Sequence, residues 1–151
     1  MRSADQGWAD FGGHGTYHNS HTWFDASILR PTQIPATEGR LEDIVTEKFR
    51  TPADARESLR EHGWDFVEND ESLVWRVHNN ITAQAGYSYY RVEWDAGTKT
   101  NLEDPEAMGD GGGFLDKLTP GRVVVLWAVA EQQAWINKVQ DATIEIGYDI
   151  V

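Results

Sequence analysis

The sequence predicts an all-β fold, an antiparallel β-sandwich or jelly roll that carries one short surface helix. Several segments alternate apolar and polar residues with the period of two that is typical of half-buried strands. Residues 122–130 are instead apolar on both faces, which predicts a strand covered on both sides. Many short strands separated by turn residues are typical of sandwiches and jelly rolls.

The length and composition are those of one folded domain. The 151 residues are 40% hydrophobic and 11% aromatic, enough to build a core at this size. The absence of cysteine excludes disulfides, thiolate catalysis and cysteine-ligated zinc. The sequence has no apolar run long enough to span a bilayer and no secretory signal, so we expect no membrane insertion.

The first 21 residues predict a flexible, glycine-rich N-terminal arm, and residues 22–151 a single jelly-roll domain. Within the arm, the isolated aromatic residues Trp8 and Phe11 have little to pack against. We therefore expect both to become ordered at an interface with a partner.

The domain begins with a strand at Thr22, in which Phe24, Ala26 and Ile28 share one face. Residues 42–49 fit either a strand or a short helix, and the pattern does not decide between them.

One helix is predicted, from Pro52 to about His62. Thr51 is a favourable N-cap, proline suits the first helical position, and Asp54 lies where a carboxylate meets unpaired backbone amides. Gly63 is the expected stop. Because few of its residues are apolar, this helix should lie on the surface.

Strands dominate the rest of the chain. A long strand over residues 81–94 should turn Tyr90, Val92 and Trp94 towards the core and leave Tyr87 and Tyr89 on the other face. Residues 96–113 predict a polar loop. Residues 142–150 alternate cleanly and predict a half-buried closing strand.

Three segments resemble strands of a known family. They are Asn80–Val92, which contains Gly86-Tyr87-Ser88-Tyr89-Tyr90, then Leu118–Leu126, with Leu118-Thr119-Pro120-Gly121-Arg122, and Asp141–Ile146. Their order and spacing, over about Leu73–Val151, resemble the trimeric jelly rolls of the tumour necrosis factor and complement globular-head type. Arg122 stands where that family usually has aspartate.

The resemblance implies a ten-stranded jelly roll that forms a homotrimer around a hydrophobic axis. Such domains also occur in virion decoration and spike proteins. The expected function is therefore that of a structural virion protein on the particle surface, as a capsid decoration or a spike base. The N-terminal arm would be its tether to a capsid or other virion protein, and an extracellular or cell-surface location is the alternative.

The aromatic side chains are the candidate interface. Tyr87 and Tyr89, together with Trp127 and Trp135, suit a surface between subunits, since tyrosine and tryptophan are enriched there. The alternative is a carbohydrate- or receptor-binding sandwich, in which the same rings stack on a glycan.

The charge restricts the partners. The sequence holds 25 acidic and 13 basic residues, a net charge of −12. Nucleic acid and anionic membranes would be repelled by such a surface. The excess of acids is also compatible with a halophilic protein, because salt screens its self-repulsion.

No cofactor is expected, although two segments contain candidate metal ligands. His14, His18 and His21 could meet a transition metal, and a cupin-like metalloenzyme is the weakest alternative function. Four acids could hold Ca²⁺ or another cation, and they are Glu103, Asp104, Glu106 and Asp110. The simpler interpretation of both groups is solvated surface.

The chain is not expected to be an enzyme. Glu93 and Asp95 would share a face of one strand, and paired acids are the basis of glycoside hydrolysis, but exposed acids are common in a chain this acidic. No nucleophile motif of the G-x-S-x-G type occurs.

Overall fold

The structure is a computed structural model that describes residues 1–6, 15–17, 20–32, 41–81, 86–96, 107–131 and 135–148. Its strands are β1 (Arg2–Gln6), β2 (Thr22–Pro31), β3 (Trp64–Phe66), β4 (Trp75–Asn79), β5 (Ser88–Tyr89), β6 (Val123–Ala130) and β7 (Ile136–Asp141). Its helices are α1 (Leu41–Val45), α2 (Arg56–Glu61) and α3 (Phe114–Lys117). Strands outweigh helices, as the all-β prediction requires, and the pairings between these strands are antiparallel.

Strand β2 is the centre of the larger sheet, sheet B. Strand β6 pairs along one edge of β2, from Thr22 opposite Ala130 to Leu29 opposite Val123. Strands β4 and β3 share the other edge, β4 beside the first half of β2 and β3 beside the second. The chain between β3 and β4 makes a tight turn in which Asn69 bridges to Ser72 and Asp70 has a positive φ.

Both faces of sheet B are covered, as the apolar run in β6 predicted. On one face Phe24, Ala26 and Ile28 pack with other buried residues, namely Val67, Trp75, Val77 and Phe114 of α3. On the opposite face Leu29 packs with a second set, which is Ile44 of α1, Ala55, Leu59 of α2, Phe66, Val125 and Trp127. The two helices therefore form a layer over one side of the sheet.

The predicted helix is present where the local signals place it. Residues Pro52–Ala55 form a 3-10 turn that continues into α2. The Thr51 backbone amide donates to Asp54 Oδ2 at 3.0 Å, and Gly63 ends the element with a φ of 83°. Of the ambiguous segment 42–49, the first part belongs to α1 and is helical.

Sheet A is the smaller sheet, with the strand order β5-β1-β7. Its central strand, β1, lies inside the segment expected to be a flexible arm, so the structure corrects that expectation for residues 2–6. The reason is non-local: both edges of β1 pair with strands more than eighty residues away in the chain. The aromatic arm residues Trp8 and Phe11 lie outside the described residues.

Two predicted strands differ from the structure. Of the described residues in the range 81–94, which are 81 and 86–94, only Ser88–Tyr89 pair as a strand, although Tyr90, Val92 and Trp94 do face the interior. Residues 142–148 of the predicted closing strand are not a strand at all, and all seven are exposed. That prediction is wrong for the single chain because no described segment pairs with this stretch.

The helices in the described parts of the chain are all too short and too polar to cross a membrane.

Candidate functional site

A set of exposed, large apolar side chains is the most distinctive surface feature. In the described part of the chain these side chains come only from β5, the residue before it, β7 and the segment that follows β7. They are Tyr87, Tyr89, Ile136, Val139, Ile144, Ile146 and Tyr148, and we call them the apolar surface. Single exposed apolar residues are normal, but confinement to one part of the fold is typical of an interaction surface.

Sheet A presents the first part of this surface. Tyr89 lies opposite Arg2 of β1, and Ile136 lies opposite Gln6. The pairing of β1 with β7 is irregular between Arg2 and Ser3. Tyr89 is 73% exposed and Ile136 is 52% exposed, so both outer strands of sheet A carry an exposed apolar residue.

The C-terminal segment, residues 142–148, forms the second part. It starts directly after Asp141, which is opposite Arg2 and therefore level with Tyr89 across the sheet. Ile144, Ile146 and Tyr148 recur at every second position, the pattern of a strand with one apolar face. Tyr148 is nevertheless 82% exposed. The segment thus has the sequence of a strand and the surroundings of a loop.

A buried polar network fixes sheet A to sheet B. Ser3 Oγ donates to Asn80 Oδ1 at 2.7 Å, and Asn80 Nδ2 donates to Thr22 Oγ1 at 2.9 Å and to Asn137 Oδ1 at 3.0 Å. Asn137 Nδ2 donates in turn to the Trp23 carbonyl at 2.9 Å. Ser3, Thr22 and Asn80 are fully buried. Buried and mutually hydrogen-bonded side chains are costly to pull apart, so the apolar surface has a rigid base.

The signal for this network in the amino-acid sequence is weak. The pair Asn79-Asn80 is typical of a turn, whereas Asn79 ends β4 and Asn80 is buried. An asparagine in a turn and one in a buried network look the same in a single sequence.

The predicted interface residues separate into three groups. Tyr87 and Tyr89 are exposed as expected. Trp127 and Trp135 are each only 8% exposed within one chain, and the Trp127 indole donates to Ser27 Oγ at 2.9 Å beneath the helical layer. Internal packing therefore removes both tryptophans from the candidate surface. Trp8 and Phe11 are outside the described residues.

The candidate metal ligands are not brought together where they are described. His21 Nδ1 lies 3.1 Å from Glu131 Oε2, and its ring is 4.9 Å from that of Trp135. Asp110 Oδ1 accepts the Gly112 amide at 2.9 Å, a local turn contact. Within the described ranges no three histidine or acidic side chains converge. The other candidates, His14, His18, Glu103, Asp104 and Glu106, lie outside those ranges.

The acidic pair considered for catalysis lies on the open surface. Glu93 and Asp95 are both exposed, and Glu93 Oε2 is 3.4 Å from Arg91 Nη2. Neither carboxylate is enclosed by the described part of the protein, as their exposure shows.

A second feature, which the sequence did not indicate, is a cluster of arginines around Asp65. This carboxylate is only 4% exposed and accepts hydrogen bonds from Arg56 Nε at 2.9 Å and from Arg60 Nε and Nη2 at 3.1 and 3.0 Å. Burial by itself would raise the pKa of Asp65. The hydrogen bonds from Arg56, Arg60 and the Phe66 amide outweigh burial, so the pKa of Asp65 lies below its ordinary value.

Comparisons of the chain with protein-family models, with curated proteins and with solved structures find no match in any of the three.

Proposed function

We propose that the chain is a structural subunit that assembles with copies of itself through the apolar surface. The observation that carries this proposal is the C-terminal segment, which follows β7 directly and has a clean strand pattern, yet is exposed and pairs with none of the described segments. Another chain can supply what such a segment lacks, which is a pairing partner for its backbone and cover for its apolar side.

A neighbouring copy supplies a matching surface. The Ile144, Ile146 and Tyr148 face of one copy can pack on the Tyr87 and Tyr89 region of the next. Covering each of these side chains contributes on the order of 1 kcal/mol. When this part of the apolar surface of each copy packs on the tyrosine part of the next copy, the contact is head-to-tail and can close into a ring.

A homotrimer is the ring that we propose, because the resemblance to trimeric jelly rolls favours three copies. The same resemblance supports the finer proposals of a jelly-roll topology and of a place on a virus particle, as a capsid decoration or the base of a spike. In that setting the covered apolar surface would hold the trimer, and the acidic remainder would face solvent.

Size-exclusion chromatography with light scattering tests the assembly. We expect the intact chain to elute with the mass of three copies. The double substitution Ile144→Ser and Ile146→Ser should return it to the mass of one copy, because both changes remove apolar area from the same face of the segment.

The matched control is Thr143→Ala, which alters the alternate position of the same segment and should leave the trimer intact. A single-chain mass for the unmodified protein at all concentrations would overturn the proposal. If that monomer also bound a glycan array through Tyr87 and Tyr89, the carbohydrate-binding alternative would replace it.

A further inference from the structure

Four of the nine arginines of this acidic chain line one open pocket. The pocket has a volume of about 380 Å³ and includes Arg30, Arg56, Arg60 and Arg122, with Asp65 and Glu68 as its acidic members. Four positive and two negative groups leave a formal charge of +2 on a chain whose net charge is −12. The charge of the pocket is therefore opposite in sign to the net charge of the chain.

The carboxylate of Asp65 holds the cluster in place and is saturated by it. Its Oδ1 accepts from Arg56 Nε and from the Phe66 amide, and its Oδ2 accepts twice from Arg60. A carboxylate has about four acceptor positions, so these bonds fill it. Arg30 Nη2 remains 3.6 Å from Oδ2, which is too far for a hydrogen bond.

The hydrogen-bond donors of the four arginines are only partly occupied by protein acceptors. Arg56 donates one further bond to Glu68 Oε1 at 2.6 Å, and Arg122 donates through Nη1 to the Lys117 carbonyl. A guanidinium has five N–H donors, so the four side chains retain donors for an acceptor in the pocket.

We propose that this arginine pocket binds a dianionic oxyanion, specifically a phosphate group that is either free or carried as a small monoester. Its charge of −2 complements the pocket's +2, and its several oxygens suit the planar donor forks of arginine. Because Asp65 already orders Arg56 and Arg60, binding costs less side-chain entropy than it would at mobile surface arginines.

The pocket is separate from the apolar surface. Arg30 is near the end of β2 and Arg122 immediately precedes β6, whereas sheet A joins sheet B at Trp23 and Val129. Seven residues of extended strand separate Trp23 from Arg30, a distance of about 23 Å. The proposal therefore does not depend on self-assembly.

Isothermal titration of the full chain with inorganic phosphate at constant ionic strength tests the site. We expect saturable binding of one phosphate per chain and little binding of acetate. The same titration with phenyl phosphate distinguishes the two sources, because a site for a monoester binds it more tightly than inorganic phosphate. Phosphate and acetate producing the same weak, non-saturating response would overturn the proposal, since that response is general ion screening.

Substitution of the pocket arginines locates the binding. Arg30→Gln and, as a second variant, Arg122→Gln should each weaken phosphate binding at least about tenfold, because each removes one charge and its donors. The matched control is Arg91→Gln, an equal charge change at an exposed arginine outside the pocket. Equal weakening by Arg91→Gln, or unchanged binding in both folded pocket variants, would show that the pocket is not the site.

Discussion

Asp65 shows how a single buried charge is made tolerable. A carboxylate taken out of water costs several kcal/mol unless its acceptor positions are filled. Here two arginines from α2 and one backbone amide fill them, and the arginines keep contact with solvent. The result joins α2 to β3 through one residue. It also makes the ionised form of Asp65 the stable one in the folded chain.

The first prediction concerns pH. The folded pKa of Asp65 lies below the unfolded value, so its ionisation stabilises the fold above about pH 4 and this contribution is lost as pH falls through the folded pKa. The groups that face it are Arg30, Arg56 and Arg60. Asp65→Asn should lower the free energy of unfolding by about 1–3 kcal/mol at neutral pH. Urea unfolding at a series of pH values should show this difference shrinking below about pH 4.

The control for this pH series is Asp116→Asn, at an exposed carboxylate of α3. It should leave the acid side of the stability profile unchanged. The free energies of unfolding of Asp65→Asn and of the unmodified chain could instead differ by the same amount down to pH 2. That result would show that packing, and not ionisation of Asp65, stabilises the contact between α2 and β3.

The elements differ in how far the sequence predicts them. The helical segment 52–61 was predicted because its signals are local: Pro52, the Asp54 carboxylate and Gly63 act within a few residues of each other. Strand β2 was predicted because Phe24, Ala26 and Ile28 alternate with the polar Asp25 and Ser27, although the structure buries both sets. In both cases the information is contained in the segment itself.

Sheet A could not be predicted in the same way. Strand β1 has no apolar alternation, and it forms a strand because β5 and β7 pair with it from distant parts of the chain. The arginine pocket was missed for a similar reason, since Arg30, Asp65 and Arg122 are far apart in sequence. Conversely, residues 142–148 have the local pattern of a strand but pair with none of the segments that the structure describes, and the pattern alone does not reveal this.

The loop that precedes α3 provides a prediction at the level of elements. A Cβ atom at Gly111 would lie 2.4 Å from Trp94 Cδ2, and Gly111 has a φ of 68°. Gly111→Ala should therefore lower the free energy of unfolding by about 3 kcal/mol, from backbone strain and from displacement of the Trp94 ring. Chemical denaturation monitored by tryptophan fluorescence measures this loss.

Gly121 is the matched control, because its φ is 84° but nothing lies within 4 Å of the added Cβ. Gly121→Ala should cost only about 1 kcal/mol, which is the backbone term alone. Equal losses at Gly111 and Gly121 would mean that the contact with Trp94 does not hold the loop.

At the scale of the whole molecule, the proposed assembly would set two opposing forces between copies. The apolar surface would draw copies together at short range, and its members carry no charge. A net charge of −12 pushes copies apart over about 10 Å at low salt, since this is the screening length near 0.1 M. The balance between the two depends on ionic strength, which connects the acidic composition to the proposed assembly.

The last prediction is that salt promotes assembly. Raising NaCl from about 0.1 M to about 2 M reduces the screening length to about 3 Å or less, which removes most repulsion and leaves the apolar contact intact. Sedimentation velocity should show at least a tenfold fall in the concentration needed for half-assembly. Tyr89→Ser should weaken association at both salt concentrations, because the contact it removes is apolar and is not screened. Association that became weaker with added salt would show that ion pairs hold the copies together, and the apolar surface would then need another partner.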